Sequence, residues 1–363
     1  MNSVAPDPRR NERLSGVLLG TAVGDAVGLP AEGLSPERIR RRWPGPLRMR
    51  LVFGRGMVSD DTEHTLMVAQ ALLSHPMDPA AFQRSLGWKL RWWFAALPAG
   101  VGLATVKACL RLWLGFPANR AGVVSAGSGP AMRSAILGAY FAGAPNERRE
   151  FVLASSRLTH RGWQAETAAL AVAEAAALGT TSNAFPEATH VFEAIRCLSD
   201  QREWQDRVVQ MESCLKTGDT VPDFVQKLGL TSGVTGYSLH VAPVALYAWL
   251  RHRADFQPAL SAAIQCGGDT DTVGAILGAL CGAVTGTAGI PSEWVGALWE
   301  WPRSRRFMEA LGKRLAEQER SQAALGPLRY FWPGLVLRNL LFLAAVLTHG
   351  VKRLLLRKRP REV

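Results

Sequence analysis

The sequence predicts an all-α protein, and three patterns indicate this fold class. Apolar residues recur at helical spacing in ten segments, and the strict alternation typical of strands is scarce. Two of the segments also carry a glycine at every fourth position. Because no convincing linker interrupts them, we expect one compact domain over residues 11–320, followed by a tail over residues 321–363. The predicted helices are 14–28, 60–74, 79–95, 129–142, 161–178, 186–199, 237–251, 256–265, 271–287 and 305–320.

The helices predicted at 14–28 and 271–287 share this glycine pattern. Glycine costs roughly 1 kcal/mol relative to alanine at an interior helix position, so its repeated use needs a structural reason. At a spacing of four residues the glycines lie on one helix face, where another backbone can approach closely. Both helices are therefore predicted to be central, and a membrane-spanning pair is the weaker interpretation. The glycines are Gly16, Gly20, Gly24, Gly28, Gly274, Gly278, Gly282 and Gly286.

Composition indicates a folded protein from a reducing compartment. Hydrophobic residues make up 48% of the 363 residues, which argues against a disordered chain. The five cysteines are scattered and include no C-x-x-C pair, so neither a disulfide framework nor a structural zinc site is expected. Residues 1–13 do not resemble a signal peptide. A cytoplasmic location is therefore predicted.

The formal net charge of +12 is concentrated in two segments. Residues 37–55 contain seven arginines and one glutamate, and residues 338–363 contain seven basic residues and one glutamate. Neither segment shows the aromatic interleaving of a nucleic-acid groove, so sequence-specific nucleic-acid binding is not expected. The first segment is interpreted either as a solvated loop or as an electropositive rim that attracts a phosphate-bearing substrate.

The tail predicts an apolar helix with a basic end. Its uninterrupted apolar run, residues 340–347, is far shorter than the roughly 20 residues that span a membrane. One interpretation is a helix docked on the domain. The other is an interfacial helix whose cations meet anionic lipid, with a transmembrane anchor as the weaker alternative. A peripheral membrane contact, and a membrane-associated location, are therefore open at this point.

Two acidic clusters, more than 200 residues apart, contain most of the chemical information. Each stands where a loop leads into an apolar helix and offers carboxylates beside hydroxyls, which are hard oxygen donors. Four aspartates brought together would repel one another unless cations compensated them, so the clusters predict a two-metal hydrolytic site. Helix capping is the alternative, although one cap needs only one aspartate. The clusters are Ser59-Asp60-Asp61-Thr62 and Gly267-Gly268-Asp269-Thr270-Asp271-Thr272.

Further motifs lie at or ahead of other predicted helices. They are the glycine-rich stretch 16–32, Gly127-Ser128-Gly129, Thr159-His160, and Ser232-Gly233 followed by Gly236-Tyr237. In this order and spacing, these motifs and the acidic clusters closely resemble the ADP-ribosylglycohydrolase family over about residues 14–300. Any one motif alone would be weak evidence, whereas the whole set in register carries the resemblance.

The resemblance implies an all-α enzyme with two Mg²⁺ or Mn²⁺ ions. Its implied reaction is hydrolysis of the glycosidic bond at C1″ of ADP-ribose in an ADP-ribosylated protein, nucleic acid or small molecule. Oxygen ligands without cysteine or histidine agree with these metals. Carried over to this sequence, the acid/base residue is Glu32, assisted by Asp60 or Asp61. The implied metal ligands are Ser59, Asp60, Asp61, Asp269, Asp271 and Thr272.

The resemblance also implies three substrate contacts. It assigns the turn Gly127-Ser128-Gly129 to the diphosphate and ribose, and the alternative is a loop in which Ser128 caps a helix. It implies that His160 contacts phosphate or ribose, although a lone histidine is more often a packed residue. It allows Tyr237 to stack on adenine, and the alternative is packing in the core.

Two departures from the family pattern bear on the substrate. Most relatives have asparagine where Ser128 stands, and several arginine-specific relatives have aspartate where Gly100 stands. An arginine-linked substrate is therefore less favoured. Two other functions use the same residues: a dinuclear-metal nucleotide phosphohydrolase and a non-catalytic ADP-ribose-binding protein. The intact acidic set favours an enzyme over a binding protein.

Overall fold

Eighteen α-helices and three short 3-10 helices form the described part of the chain, which comprises residues 8–181, 184–321 and 323–357 of a computed structural model. These residues contain isolated β-bridges but no β-strand, so the predicted all-α fold class is confirmed. The α-helices are α1 (Pro8–Gly28), α2 (Pro36–Arg42), α3 (Asp60–Ser74), α4 (Pro79–Ala95), α5 (Leu103–Trp113), α6 (Ala118–Ala121), α7 (Ala135–Tyr140), α8 (Pro145–Arg157), α9 (Trp163–Thr181), α10 (Ala188–Arg196), α11 (Arg202–Thr217), α12 (Val221–Lys227), α13 (Ser238–Arg251), α14 (Phe256–Ile264), α15 (Thr270–Thr285), α16 (Ser292–Ala297), α17 (Arg305–Ser321) and α18 (Pro333–Arg357).

The predicted helix over residues 129–142 is wrong in its extent, and the one predicted at 14–28 begins earlier than expected, at Pro8. The segment 129–142 contains a 3-10 helix, Ala131–Arg133, followed by the short helix α7. The carbonyl of Ser128 accepts a hydrogen bond from the N–H of Ala131 at 2.9 Å, which turns the chain before a regular helix begins. Helices α3 and α4, in contrast, have the predicted bounds.

The two glycine helices, α1 and α15, pack antiparallel at the centre of the molecule. A Cβ added at Gly20 would overlap the carbonyl oxygen of Gly278, and one added at Gly24 would overlap that of Gly274. The backbones therefore touch along the length of both helices, which no other residue would allow. The predicted central position and close backbone approach of this pair are confirmed.

Helix α1 is a core helix although its composition resembles that of a membrane span. Residues 9–31 are long and apolar enough to cross a bilayer, but their most apolar 18-residue stretch is entirely buried inside the molecule. The interpretation of α1 and α15 as a membrane-spanning pair is therefore wrong. Residues 333–351, in α18, are also long and apolar enough to cross a bilayer, but only 28% of their most apolar 18-residue stretch is buried.

Helix α1 also brings the starts of α3 and α15 to the same place. The carboxylate of Asp25, fully buried in α1, accepts hydrogen bonds from the N–H groups of Ser59 at 2.9 Å and Thr62 at 3.2 Å. The hydroxyl of Thr270 donates to the carbonyl of Gly28 at 2.9 Å. The last turns of one helix thus hold the first turns of two others, and each of those first turns carries an acidic cluster.

The chain after α17 returns across α3 and then forms α18. Gln70 of α3 holds this return, because its side-chain amide exchanges two hydrogen bonds with the backbone of Leu328, at 2.8 and 2.9 Å. The first turns of α18 dock through Arg338 and Asn339, which are 4% and 1% exposed. The docked interpretation therefore describes the start of α18, and the boundary predicted at residue 321 stays a prediction. The basic end from residue 352 onward falls outside the side chains that the structure describes.

Candidate functional site

A cleft of about 550 Å³ opens where the first turns of α3 and α15 meet. Four further segments contribute to its wall: residues 32–33, 100–105, 125–129 and 234–236. The polar side chains that line it belong to Glu32, Asp60, Asp61, Thr105, Ser125, Ser128, His160, Asp269, Asp271 and Thr272. Most of the residues singled out in the sequence thus face one cavity.

The two acidic clusters touch each other inside this cleft. The hydroxyl of Thr272, from the second cluster, donates a hydrogen bond to Oδ2 of Asp61 in the first, at 3.4 Å. The hydroxyl of Ser59 donates to the same oxygen at 2.9 Å. Ser59 itself does not line the cleft but lies directly beneath it as the N-cap of α3. Hydroxyl groups from two segments more than 200 residues apart therefore donate to the same carboxylate, that of Asp61.

Two carboxylate oxygens in the cleft are buried without a hydrogen-bond donor. They are Oδ1 of Asp61 and Oδ1 of Asp271, on residues that are 2% and 6% exposed. A buried acceptor left unpaired costs about 1–3 kcal/mol, and more when it is charged. One oxygen comes from each cluster, so a cation between them would satisfy both.

Burial and mutual repulsion raise the pKa values of these aspartates. Burial is the largest cause at Asp61, whose pKa lies well above its usual range, and the charges of Asp60 and Asp25 add to it. Burial also dominates at Asp271, whose pKa is raised further by Glu32 and Asp269. Burial raises the pKa of Asp25 to about 7, against the opposing hydrogen bonds from Thr62 and Ser59. The cleft therefore resists full ionisation of its own carboxyl groups.

These raised pKa values predict how the stability of the metal-free protein depends on pH. An acid whose pKa is raised by folding binds more protons in the folded state, so stability falls as pH rises from the unfolded pKa, near 3.8, toward about 7 at Asp25. We expect the melting temperature in chelator to fall over this range, and Mg²⁺ or Mn²⁺ to restore it most above pH 7. Scanning calorimetry with and without metal checks this. A melting temperature in chelator that rises steadily toward pH 7, with no effect of either ion, would contradict it.

Asp25 and Glu63 are two buried acids that the sequence analysis does not assign to the site. Asp25 is fully buried and accepts hydrogen bonds from the first turn of α3. Its sequence signal is an aspartate inside an apolar, glycine-rich helix. Glu63 lies one turn after Asp60 and forms a buried ion pair with Arg303, while accepting a hydrogen bond from Nε1 of Trp93 at 2.7 Å. Glu63 is thus compensated by the protein itself, unlike the aspartates of the cleft.

The Gly-Ser-Gly turn, residues 127–129, forms part of the cleft wall and packs on His160. A Cβ at Gly129 would come within 2.9 Å of the imidazole, so glycine is needed for the turn to lie on the ring. The N–H of Ser128 donates to the carbonyl of Gly236 at 3.1 Å, and its hydroxyl lies 3.5 Å from Oδ2 of Asp269. Because only a 3-10 helix follows directly, this turn lacks the long helix dipole that the predicted helix over residues 129–142 would have supplied.

His160 is 4% exposed and stays neutral near physiological pH. Burial, followed by the charge of Arg133, lowers its pKa to about 3. Its Nδ1 lies 2.9 Å from the hydroxyl of Thr159, which in turn accepts from Arg133 at 2.8 Å. A neutral imidazole can hydrogen-bond to a hydroxyl or phosphate oxygen, but it brings no positive charge to the cleft.

Tyr237 lies beside the cleft without lining it. It is the N-cap residue of α13, and its phenol donates hydrogen bonds to Glu203 at 3.0 Å. Its ring packs edge-on against His240, with the centroids 4.9 Å apart. Stacking of Tyr237 on adenine therefore stays a prediction. Gly236, its neighbour in sequence, lines the cleft, so the adenine would have to extend past Gly236 to contact the Tyr237 ring.

The cleft is acidic, and none of its described lining residues is lysine or arginine. The seven arginines between residues 38 and 55 do not line it, so the electropositive rim considered from the sequence stays a prediction. The wall at residues 100–105 carries no charge, with Gly100, Gly102 and Leu103 facing the cavity. An anionic ligand would therefore enter a field of like charge unless cations were bound first.

The oxygen donors fit hard divalent ions, although the carboxylates alone do not form a closed cage. Within the described residues, no three Asp, Glu, His or Cys side chains are gathered closely enough to hold an ion by themselves. The hydroxyls of Ser59 and Thr272, both within hydrogen-bond distance of Asp61, extend the donor set, and Mg²⁺ commonly keeps water ligands as well. The donor chemistry thus fits Mg²⁺ or Mn²⁺ better than zinc or copper.

Comparison with known proteins shows the family to which this chain belongs. The model of a family described as ADP-ribosylglycohydrolase matches residues 6–324. An uncharacterized protein of Archaeoglobus fulgidus is 32% identical over 314 residues, which cover 84% of this chain and 96% of the relative. The ADP-ribosyl-[dinitrogen reductase] glycohydrolase of Rhodospirillum rubrum is 25% identical over 300 residues, which cover 80% of this chain and 92% of the relative.

A solved structure gives the same result for the fold. It is described as an ADP-ribosylglycohydrolase-related protein complex, and it aligns with a TM-score of 0.62 at 27% identity. The alignment covers 86% of this chain and 99% of the solved chain. Since the family model spans nearly all of the helical domain and the motifs occur in its order, this chain belongs to the ADP-ribosylglycohydrolase family.

Proposed function

We propose that the protein hydrolyses the glycosidic bond at C1″ of ADP-ribose in an ADP-ribosylated substrate. Members of the family are hydrolases of ADP-ribose linkages, and the Rhodospirillum rubrum relative carries that activity in its name. The observation that carries the proposal is the shared contact between Thr272 and Asp61, with an unpaired buried oxygen on each side of it. Such a pair of acidic helix starts has no structural use that one capping aspartate would not serve.

The proposed cofactor is a pair of Mg²⁺ or Mn²⁺ ions. Support comes from the oxygen-only donor set, from the raised pKa values of Asp61 and Asp271, and from the unpaired Oδ1 atoms of both. When bound, the ions would neutralise the cleft and supply Lewis-acid polarisation at a water or at the ribose hydroxyls. The proposed ligands are Ser59, Asp60, Asp61, Asp269, Asp271 and Thr272.

Glu32 is the proposed acid/base residue. It is exposed at the edge of the cleft, directly after the 3-10 helix Leu29–Ala31, and lines the cavity together with Asp60 and Asp271. From there its carboxyl group can take a proton from the attacking water and give one to the leaving atom at C1″. Asp60 is half-buried in the same cavity and is the proposed assistant, because its pKa is raised first by burial and then by Asp25.

The Gly-Ser-Gly turn, His160 and Tyr237 are the proposed substrate contacts. The turn and His160 form one rigid wall, so they can orient ribose or diphosphate oxygens without moving. The hydroxyl of Ser128 reaches toward Asp269, which couples this wall to the second acidic cluster. The partner that this proposal implies is an ADP-ribosylated protein, nucleic acid or small molecule. The uncharged wall at Gly100 does not favour an arginine linkage.

Incubation with arginine-, serine- and DNA-linked ADP-ribose, each with and without chelator, tests the proposal. Mass analysis is expected to find free ADP-ribose from at least one substrate, and none when the metal is removed. Release of inorganic phosphate would instead support a nucleotide phosphohydrolase. Tight ADP-ribose binding with no product from any substrate would support a non-catalytic binding protein. Either of the last two outcomes contradicts the proposed reaction.

A further inference from the structure

An exposed apolar surface on and beside α18 lies outside the cleft and has no role in the proposed function. Its apolar members are large and exposed: Phe53 is fully exposed, and Trp299 and Trp301 are each 50% exposed. Along α18 they are joined by Leu337 and Leu341, 56% and 52% exposed. We call this set, Phe53, Trp299, Trp301, Leu337 and Leu341, the α18 face.

The members of the α18 face are neighbours in space. The N–H of Trp299 donates to the carbonyl of Gly56 at 2.8 Å, which places the tryptophans beside the turn that carries Phe53. A cavity of about 200 Å³ is lined by both tryptophans together with Leu337 and Leu341. The tryptophans and leucines therefore form one apolar surface, and Phe53 lines the adjoining cavity along the same helix. An exposed apolar patch of this kind often marks an interaction site.

A basic groove continues the same stripe along α18. A cavity of about 640 Å³ lies between the helix and the loop 42–54, lined on the helix side by Ala344, Thr348 and His349. On the loop side, Arg42, Arg48 and Arg50 line it together with Phe53. Cζ of Arg42 and Cζ of Arg50 each lie 5.5 Å from the centroid of the Trp43 ring. These cation–π contacts hold two of the positive charges beside the groove.

The start of α18 is anchored to the domain, which fixes how the rest of the helix is presented. Arg338 pairs with Glu300 at 2.6 Å and donates to the carbonyl of Val58 at 2.5 Å. Asn339 donates to the carbonyl of Ala96 at 2.8 Å. The apolar part that follows, residues 340–351, is about 18 Å long as a helix, and the hydrocarbon core of a bilayer is about 30 Å thick. Residues 333–351 together have the length of a span, but their first turns are anchored to the domain. The apolar part beyond the anchor is too short to cross a membrane and long enough to lie on one.

We propose that the α18 face and its arginine groove dock the protein on the surface of an anionic phospholipid bilayer. Exposed leucines and phenylalanine suit the boundary of the acyl chains, and tryptophan suits the level of the headgroups. Arginines beside them meet lipid phosphates, and the sequence continues with six more basic residues: Lys352, Arg353, Arg357, Lys358, Arg359 and Arg361. This combination of apolar stripe and uniform positive charge favours anionic lipid over a second copy of the chain, whose own face would be equally positive.

Vesicle flotation with the full chain tests the proposal. We expect the protein to float with vesicles that contain phosphatidylglycerol and to bind phosphatidylcholine vesicles at least tenfold more weakly, with high salt reducing the difference. The double variant Arg48→Gln/Arg50→Gln should bind anionic vesicles on the order of tenfold more weakly. The double variant Leu337→Gln/Leu341→Gln should lose binding to a similar or larger extent.

Matched variants on other faces serve as controls. Arg149→Gln/Arg202→Gln removes two exposed charges from α8 and α11, and Met77→Gln/Val209→Gln removes two exposed apolar side chains. Both should bind like wild type, and circular dichroism should show all four variants folded. Equal binding by all variants, or no vesicle binding at low salt, overturns the proposal. A third outcome also overturns it. If light scattering shows a wild-type dimer that only the α18-face variants dissociate, and if the protein binds no vesicles, then the face joins two copies of the chain.

Discussion

Replacing Asp271 with asparagine is expected to remove metal-dependent hydrolysis while leaving the metal-free protein at least as stable as wild type. The carboxylate has an unpaired buried oxygen and a pKa raised by burial, then by Glu32 and Asp269. Asparagine keeps the shape and removes the repulsion, so the folded state loses a source of strain. The ion loses a charged ligand, and we expect turnover to fall about 1,000-fold or more. Product formation and calorimetry in chelator measure the two effects.

An aspartate that only caps a helix provides the control. Asp78 is the N-cap of α4 and accepts hydrogen bonds from Ala80 and Ala81 at 2.9 Å, outside the cleft. Asp78→Ala should lower the melting temperature and leave turnover unchanged, which is the reverse of the pattern expected for Asp271→Asn. If Asp271→Asn instead lost stability and kept its activity, then Asp271 would be a capping residue and the proposed metal site would be wrong.

Replacing Gly24 with alanine is expected to cause the largest loss of stability of any small substitution outside the cleft. The new methyl group would overlap the carbonyl oxygen of Gly274, and neither backbone can move without separating α1 from α15. Overpacking of this kind typically costs about 1–3 kcal/mol, and more against a rigid backbone, which exceeds the roughly 1 kcal/mol that alanine gains in helix propensity. Thermal and urea unfolding of Gly24→Ala measure the difference.

Gly296 offers a matched control for this substitution. It lies within α16, and a Cβ built there would meet nothing within 4 Å. Gly296→Ala should therefore be neutral or slightly stabilising, because only the propensity gain remains. Equal effects of the two substitutions would mean that the α1–α15 contact is looser than described, and that the starts of α3 and α15 are not held together by it.

The central helix pair and the contents of the cleft could be predicted from local patterns. Glycine at every fourth position lowers helix propensity strongly, so the pattern predicts close contact with another backbone even when the partner helix is unknown. The acidic clusters were similarly visible because aspartates beside hydroxyls at a helix start exceed the needs of a cap. Such signals lie within single segments, and the family resemblance supplied the pairing between the segments.

Residues that act through long-range contacts could not be assigned in this way. Arg133 is completely buried, and its partners are Ser155, Thr159 and Nδ1 of His64, at 2.8 to 3.1 Å. Nothing in the local sequence distinguishes this arginine from a surface one. The same holds for Arg338, whose partner Glu300 lies on another segment. Burial of these charges depends on tertiary packing, which no short window of sequence reports.

The surface helices α8 and α11 were not predicted because their composition is mostly polar. Helix α11 nevertheless buries Trp204, Val208 and Met211, which recur at positions i, i+4 and i+7. It ends at Gly218, whose φ of +75° is the usual left-handed C-cap. A narrow apolar stripe with a glycine stop was therefore an available signal for this helix.

Anomalous diffraction from crystals grown with Mn²⁺ tests the central claim most directly. The account predicts two anomalous peaks in the cleft, with Oδ1 of Asp61 and Oδ1 of Asp271 as ligands from opposite clusters. Crystals of the Asp271→Asn variant should show a weaker or missing peak at that position. A wild-type cleft with no anomalous peak at saturating Mn²⁺, or with the two acidic clusters held apart, would contradict the account.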